Sequence, residues 1–261
     1  MKEPKMGGSK HLERLLGLRE DGVLSTDAVF VSLDLECDTD RHRPSLSTQK
    51  PIISQFGIAI LDTRDICSLS KSSGLASLVT VRMFQSKESM KGAREYVFAQ
   101  TTAITQHRIV DTIIKSLRII EKSSTGTNAL RNIVLVGHSF KSDLDVLGAH
   151  GLDIASIAPV LTTVDTHVAS RFVLPPFHPN LPLNSRQSFK LSGVLAQLDR
   201  LQDRSEFHNA GNAALYTLRL MLLLAIKSGE NRQAELSETE SKNLAMLSDA
   251  VSKILWFGHL L

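Results

Sequence analysis

Cysteine is nearly absent: the 261 residues hold two, Cys37 and Cys67, at no metal-binding spacing and too few for a disulfide framework. That excludes a small secreted scaffold stapled by disulfides and fits a reducing compartment. An excess of one charge sign is lacking too. With 30 basic residues against 27 acidic, the net charge is +3, so overall charge does not announce nucleic acid and any basic surface has to be local. Long apolar runs are missing: the greasiest, Leu220 to Ile226, falls far short of the roughly 20 residues a membrane-spanning helix needs. The opening stretch MKEPKMGGSKHLERLLGLRE carries acids and no apolar core, so neither a secretory signal nor a transit peptide is expected. There is no internal repeat and no sign of a second domain. What remains is an ordinary globular composition, 42% hydrophobic and 22% charged, in a chain long enough to build a core without staples. The expectation is an intracellular protein, cytoplasmic or nuclear, with no membrane partner.

The informative stretch is Val29-Phe30-Val31-Ser32-Leu33-Asp34-Leu35-Glu36. Its apolar, β-branched run reads as a strand buried on both faces, as at the centre of a mixed or parallel sheet. Residues two apart on a strand share a face. Asp34 and Glu36 therefore converge at the carboxyl end of this strand. Two close carboxylates are unfavourable unless a cation sits between them, and Mg²⁺ or Mn²⁺, which take oxygen ligands, are the obvious candidates. The plain alternative is a pair of solvated acids where a strand runs into a loop.

Along the chain, residues 1–27 read as a loosely structured tail with one helical turn, and residues 28–261 as one domain that includes a C-terminal helix. After the first strand (28–36) comes a loop, DTDRHRPSLSTQK, carrying Arg41, His42, Arg43 and Lys50 just beyond the two carboxylates. It is either a solvated loop or a phosphate clamp. Ile52–Leu61 and Val79–Phe84 continue as an antiparallel meander. Helices are expected near 100–106 and 109–122, the second from Ile109, Ile113, Leu117 and Ile120 at helical spacing, ended by SSTGTN at 123–128. Ile133–Val136 is another buried strand. It delivers Gly137-His138-Ser139-Phe140 and a helix reaching about Ala149, with Asp143 and Asp145 in its first turns, where acids also suit the helix dipole. A strand at 160–164 ends at Asp165-Thr166, a proline-rich loop follows from Leu174 to Leu183, and Gln187–Leu198 reads as a helix. Phe207-His208-Asn209-Ala210-Gly211-Asn212-Ala213 opens a long helix running to about Lys227. Ser237-x-x-Glu240 is a capping box for a last helix with Leu244, Leu247, Val251 and Ile254 on one face. The apolar end, Leu255-Trp256-Phe257, is expected to pack on the domain, with a partner-binding patch as the lesser alternative.

A meander followed by alternating helices and strands, with acids at strand ends and on later helices, resembles the α/β ribonuclease H-like fold: a mixed sheet, antiparallel then parallel, flanked by helices. Within that fold the chain resembles the DEDDh family of 3′–5′ exonucleases. Asp34 and Glu36 match its Asp-x-Glu motif. His138 and Asp143 match its second motif, an Asp five residues after a His. His208 and Ala210 match its third, His-x-Ala-x-x-Asp, but the final acid is replaced by Ala213. The phrases LDLECD, ISQFGIAILDT and GHSFKSDL resemble a fungal branch of these exonucleases whose usual third motif is His-Asn-Ala-Gly-Asn-Asp. That branch includes an Argonaute-interacting member that helps remove the passenger strand in small-RNA silencing.

The resemblance implies metal-dependent removal of nucleotides from the 3′ end of single-stranded RNA or DNA with Mg²⁺ or Mn²⁺, and an Argonaute as a protein partner. It implies that Asp34 bridges two ions, Glu36 holds the first, Asp143 acts at the second and His208 is the general base, a role suited to a side chain whose ordinary pKa is about 6.5. Arg41, Arg43, Lys50 and His138 are the expected nucleic-acid contacts, with Arg186 and Lys190 as secondary ones. Ala213 offers a methyl group and ligates nothing. Three accounts of it stand side by side: a chain inactivated by substitution, a natural pseudonuclease that binds without cutting, and rescue by a neighbouring acid such as Asp38, Asp145 or Glu206.

Overall fold

Alternating apolar residues explain why one sheet divides this protein into two layers. The computed structural model describes residues 9–19, 27–38, 50–67, 79–89, 100–121, 129–174, 189–199, 207 and 209–253. Its strands are β1 (Ala28–Cys37), β2 (Ile53–Asp62), β3 (Val79–Ser86), β4 (Thr101–Ile104), β5 (Asn132–Gly137) and β6 (Val160–Asp165). They form one sheet in the order β4-β3-β2-β1-β5-β6. β1, β2 and β3 pair antiparallel, whereas β1–β5, β5–β6 and β3–β4 are parallel. This is the mixed ribonuclease H-like sheet expected from the sequence, with β1 near its middle.

The helices are α1 (Ser9–Leu15), α2 (Thr63–Cys67), α3 (Ile109–Leu117), α4 (Lys141–Ala149), α5 (Ile154–Ile157), α6 (Thr166–Val173), α7 (Leu191–Asp199), α8 (Ala210–Glu230) and α9 (Glu238–Lys253). On β1, Val29, Val31 and Leu33 pack with Ile109, Ile113 and Leu117 of α3 and Leu147 of α4. Ala28 and Phe30 point the other way, into a core with α1, α6, α7, α8 and α9. By the same alternation, Asp34 and Glu36 belong to the α8 side.

α8 is long and apolar enough, by length and composition, to cross a membrane, yet most of it is buried inside the protein. It lies on β1 and β2 and also packs against α1, α6, α7 and α9. A helix that is apolar on nearly every side is a core helix, and this one carries the third motif at its start.

Several elements differ from the sequence reading. The segment expected as a helix near 100–106 is strand β4 followed by a 3-10 turn at Gln106–Arg108. Thr101, Thr102 and Ala103 are exposed, so β4 is held by its backbone ladder to β3 and leaves no apolar alternation to read. α3 stops at Leu117 because Arg118 leaves helical geometry (φ −83°, ψ 73°), and Ile120 instead forms a bridge with Leu130. α6 had no counterpart in the sequence reading; it starts where Asp165 caps it. Within the stretch expected as a loose tail, residues 9–19 pack on the domain: Leu12, Leu15, Leu16 and Leu18 are buried in the α8 core. Glu13 is buried among Arg19 (2.8 Å), Arg232 (2.6 Å) and the Ser228 hydroxyl. The expected capping box is present, with the Ser237 N–H donating to Glu240 (3.1 Å) and the Glu240 N–H to Ser237 Oγ (3.2 Å). Residues 123–128, residues 175–188 with most of the expected proline-rich loop and the start of the expected 187–198 helix, Ile254 and Leu255-Trp256-Phe257 lie outside the described residues.

Candidate active site

β1 pairs with β5 only as far as Ser32, opposite Val136. Leu35 therefore lies beyond the parallel ladder, and its N–H donates to Asp143 Oδ1 at 3.1 Å. That bond carries the first-turn acid of α4, a helix on the α3 side of the sheet, over the sheet's end toward Asp34 and Glu36 on the α8 side. Acids from two layers thus meet at the carboxyl end of β1.

Their electrostatics record the crowding. Burial, then the neighbouring Asp143 and Glu36 charges, push the Asp34 carboxyl well above the usual range. Burial also pushes Asp143 up to about 7; the Leu35 N–H opposes this, while Glu36 and Asp165 add to it. Cys37, next along the strand, is raised to about 11 by burial and then by the same acids. No ion pair from a described Lys or Arg reaches Asp34 or Asp143.

The donors are hard carboxylate oxygens, the chemistry of Mg²⁺ and Mn²⁺, and crowded carboxylates of this kind are what a divalent ion relieves. Asp34, Glu36 and Asp143 fit such an ion by type and by neighbourhood. They do not form a finished cage: among the described residues no group of three or more His, Cys, Asp or Glu is gathered to hold a metal.

The third motif is fixed to the sheet by two residues that the sequence reading passed over. Asp34 is paired across the ladder with Gly57, and Glu36 with Gln55. A Cβ on Gly57 would lie 1.9 Å from the Ala210 carbonyl oxygen, so only glycine lets the start of α8 press onto β2 here. Gln55 Oε1 accepts the Ala210 N–H at 3.1 Å. The Asn209 side chain caps the helix, accepting from Gly211 (3.0 Å) and Asn212 (3.1 Å). The first three amides of α8 are thereby engaged inside the protein, and this helix start is closed to a phosphate. A glycine inside an apolar strand, two residues after a buried glutamine, was the available signal.

Ala213 follows Ala210 by three residues, on the same side of α8, and is 3% exposed. Position 213 thus lies one turn beyond the contact with Gly57, whose cross-strand neighbour is Asp34. Of the acids considered as substitutes, Asp145 is exposed and paired with Lys141 at 2.6 Å. Asp38 accepts from the Ser89 hydroxyl at 3.5 Å. Glu206 lies outside the described residues, as do His208, Arg41, Arg43 and Arg186.

Lys50 and Lys190 are exposed. Antiparallel pairing brings the start of β2, and Lys50 just before it, to the end of the sheet where the acids sit. His138 is placed differently from the expected nucleic-acid contact. Its Nε2 is 2.9 Å from the Phe189 carbonyl and its Nδ1 is 2.9 Å from the Thr166 hydroxyl. Burial lowers its pKa to about 4, so at neutral pH it is an uncharged tether between β5, α6 and the start of α7. Neither ring nitrogen is left for a phosphate.

Residues 29–224 match the family model described as DNA polymerase III subunit epsilon-like, C-terminal domain, of the DEDDh class. The match spans well over half of the chain, and the chain belongs to this DEDDh exonuclease family. Its fold is that of a nuclease domain. No curated protein sequence matches the chain.

Proposed function

We propose that this domain is a metal-dependent 3′–5′ exonuclease for single-stranded RNA or DNA whose site, as the chain stands, is one carboxylate short. The observation carrying this reading is the meeting of Asp34, Glu36 and Asp143 at the carboxyl end of β1. Mg²⁺ or Mn²⁺ held there would neutralise charge on the scissile phosphate and acidify the attacking water. Asp34 and Glu36 would supply oxygen ligands from β1, and Asp143 would supply a third from α4. His208 removes the proton from the water. Gln55, Gly57 and the Asn209 cap hold the start of α8, and position 213 with it, against the strand that pairs with Asp34. Arg41, Arg43 and Lys50 take the backbone phosphates of the strand.

Ala213 supports a second reading, a pseudonuclease that binds nucleic acid or a partner protein without cutting. Role and location rest on wording alone: the likeness of LDLECD, ISQFGIAILDT and GHSFKSDL to the fungal silencing exonucleases supports an Argonaute partner in the cytoplasm or nucleus.

A 5′-labelled single-stranded oligonucleotide incubated with Mg²⁺ or Mn²⁺ separates the two readings. Loss of one ligand removes several kcal/mol of transition-state stabilisation, and each ~1.4 kcal/mol is about tenfold in rate. The unsubstituted chain should leave the oligonucleotide nearly intact. Ala213→Asp should produce a ladder of 3′-shortened products, and adding His208→Ala should erase that ladder. A folded, metal-loaded Ala213→Asp protein that stays inert establishes the pseudonuclease reading instead.

A further inference from the structure

Among the described residues outside glycine, Ser139 alone has a positive φ, +56°. It sits in the turn between β5 and α4, two residues after the strand and four before Asp143. An L-residue with a hydroxymethyl side chain holds this conformation only where its surroundings determine it. Here the surroundings are one carboxylate. Parallel pairing sets Asp165, the last residue of β6, opposite Gly137. Asp165 Oδ1 accepts the Ser139 N–H and Oδ2 the Phe140 N–H, each at 3.0 Å. Oδ1 also accepts the His167 N–H at 2.9 Å. One side chain thus engages donors at the starts of two helices, α4 and α6, whose first amides have no partner within the helix. The turn has no slack elsewhere, since a Cβ on Gly137 would lie 2.2 Å from the Phe140 ring.

We infer that Asp165 is a positioning residue: by locking the Ser139 turn it fixes the first turn of α4 and so the place of the Asp143 carboxylate against β1. The inference rests on the reading of Asp143 as a site acid. Capping α6 is the simpler role for Asp165, and the two separate experimentally. Asp165→Ser retains a good cap for α6 but cannot span both the Ser139 and Phe140 amides. Ser139→Gly makes the left-handed turn free of steric cost, so it compensates for a lost grip on the turn; it does not replace a lost charge or a lost cap.

The readout without metal is the Leu35 amide, which donates to Asp143. Hydrogen exchange followed by NMR on the full chain should show Leu35 exchanging at least tenfold faster in Asp165→Ser, approaching the rate in Asp143→Ala. The Val31 amide, in mid-strand, should be unchanged. Asp165→Ser with Ser139→Gly should return Leu35 most of the way. Should Asp165→Ser fold poorly, Asp165→Asn, which keeps an acceptor for Ser139 and His167 and loses the one for Phe140, should give an intermediate shift. A Leu35 amide unmoved in the Asp165 variants, or a change that Ser139→Gly does not reverse, overturns the inference. Mn²⁺ titration of the same proteins by EPR tests the underlying reading separately. There the unsubstituted chain should bind through Asp34 and Asp165→Ser about tenfold more weakly, whereas binding independent of Asp34 retires the metal-site reading whatever Leu35 does.

Discussion

Asp34 and Asp143 hold their protons to higher pH in the folded protein than in an unfolded chain, where carboxyls titrate near 3.9. The folded state therefore binds more protons than the unfolded one between that value and about 7, the pKa of Asp143. In that window stability falls as pH rises. Urea denaturation without divalent metal should give a lower midpoint at pH 8 than at pH 5. Asp143→Asn, which removes the titration, should flatten this difference and raise the midpoint at pH 8. An Asp143→Asn protein as pH-sensitive as the parent would deny that burial and repulsion are stored at this residue. The pairing of Asp34 with Glu36 was legible from strand alternation alone. The Leu35–Asp143 bond was not, because it joins residues 108 apart and depends on where β1 outruns β5.

At the scale of elements, the junction of β2 and α8 presents the third motif, and Gly57 is its tightest point. Gly57→Ala places a methyl group against helix backbone, which cannot swing aside as a side-chain tip would. Overpacking of this kind costs about 1–3 kcal/mol, visible as a lower urea midpoint. In the Ala213→Asp background, the ladder of products should weaken further than stability alone explains, because the first turn of α8 moves off Asp34. Unchanged stability in Gly57→Ala would mean that the helix start tolerates displacement. β1, β5 and α8 were legible because each carries an apolar run bounded by clear signals and open to one reading. β4 was misread since its three exposed residues are ordered by hydrogen bonds rather than by burial. α6 was missed because it is only eight residues long and its start signal is the single residue Asp165. α1 was undervalued: its leucines follow helical spacing but its partners lie some 200 residues away on α8, as the Ser228–Glu13 bond shows.

For the whole molecule, the fold gathers the carboxyl ends of β1 and β5 and the start of α8 at one end of the sheet, while net charge stays at +3. Nucleic-acid affinity must then come from few local cations. With roughly three phosphate contacts from Arg41, Arg43 and Lys50, the logarithm of affinity for a single strand should fall with log salt at a slope of about −2. Filter binding from 50 to 200 mM salt reads this, and a slope near zero would remove phosphate contacts as the source of binding. The account stands most directly on metal affinity. Calorimetry with Mn²⁺ should show weak binding to the chain as it is, none in Asp34→Ala, and binding at least tenfold tighter in Ala213→Asp. Equal binding in all three proteins would place the ion elsewhere and contradict a nuclease site lacking one carboxylate.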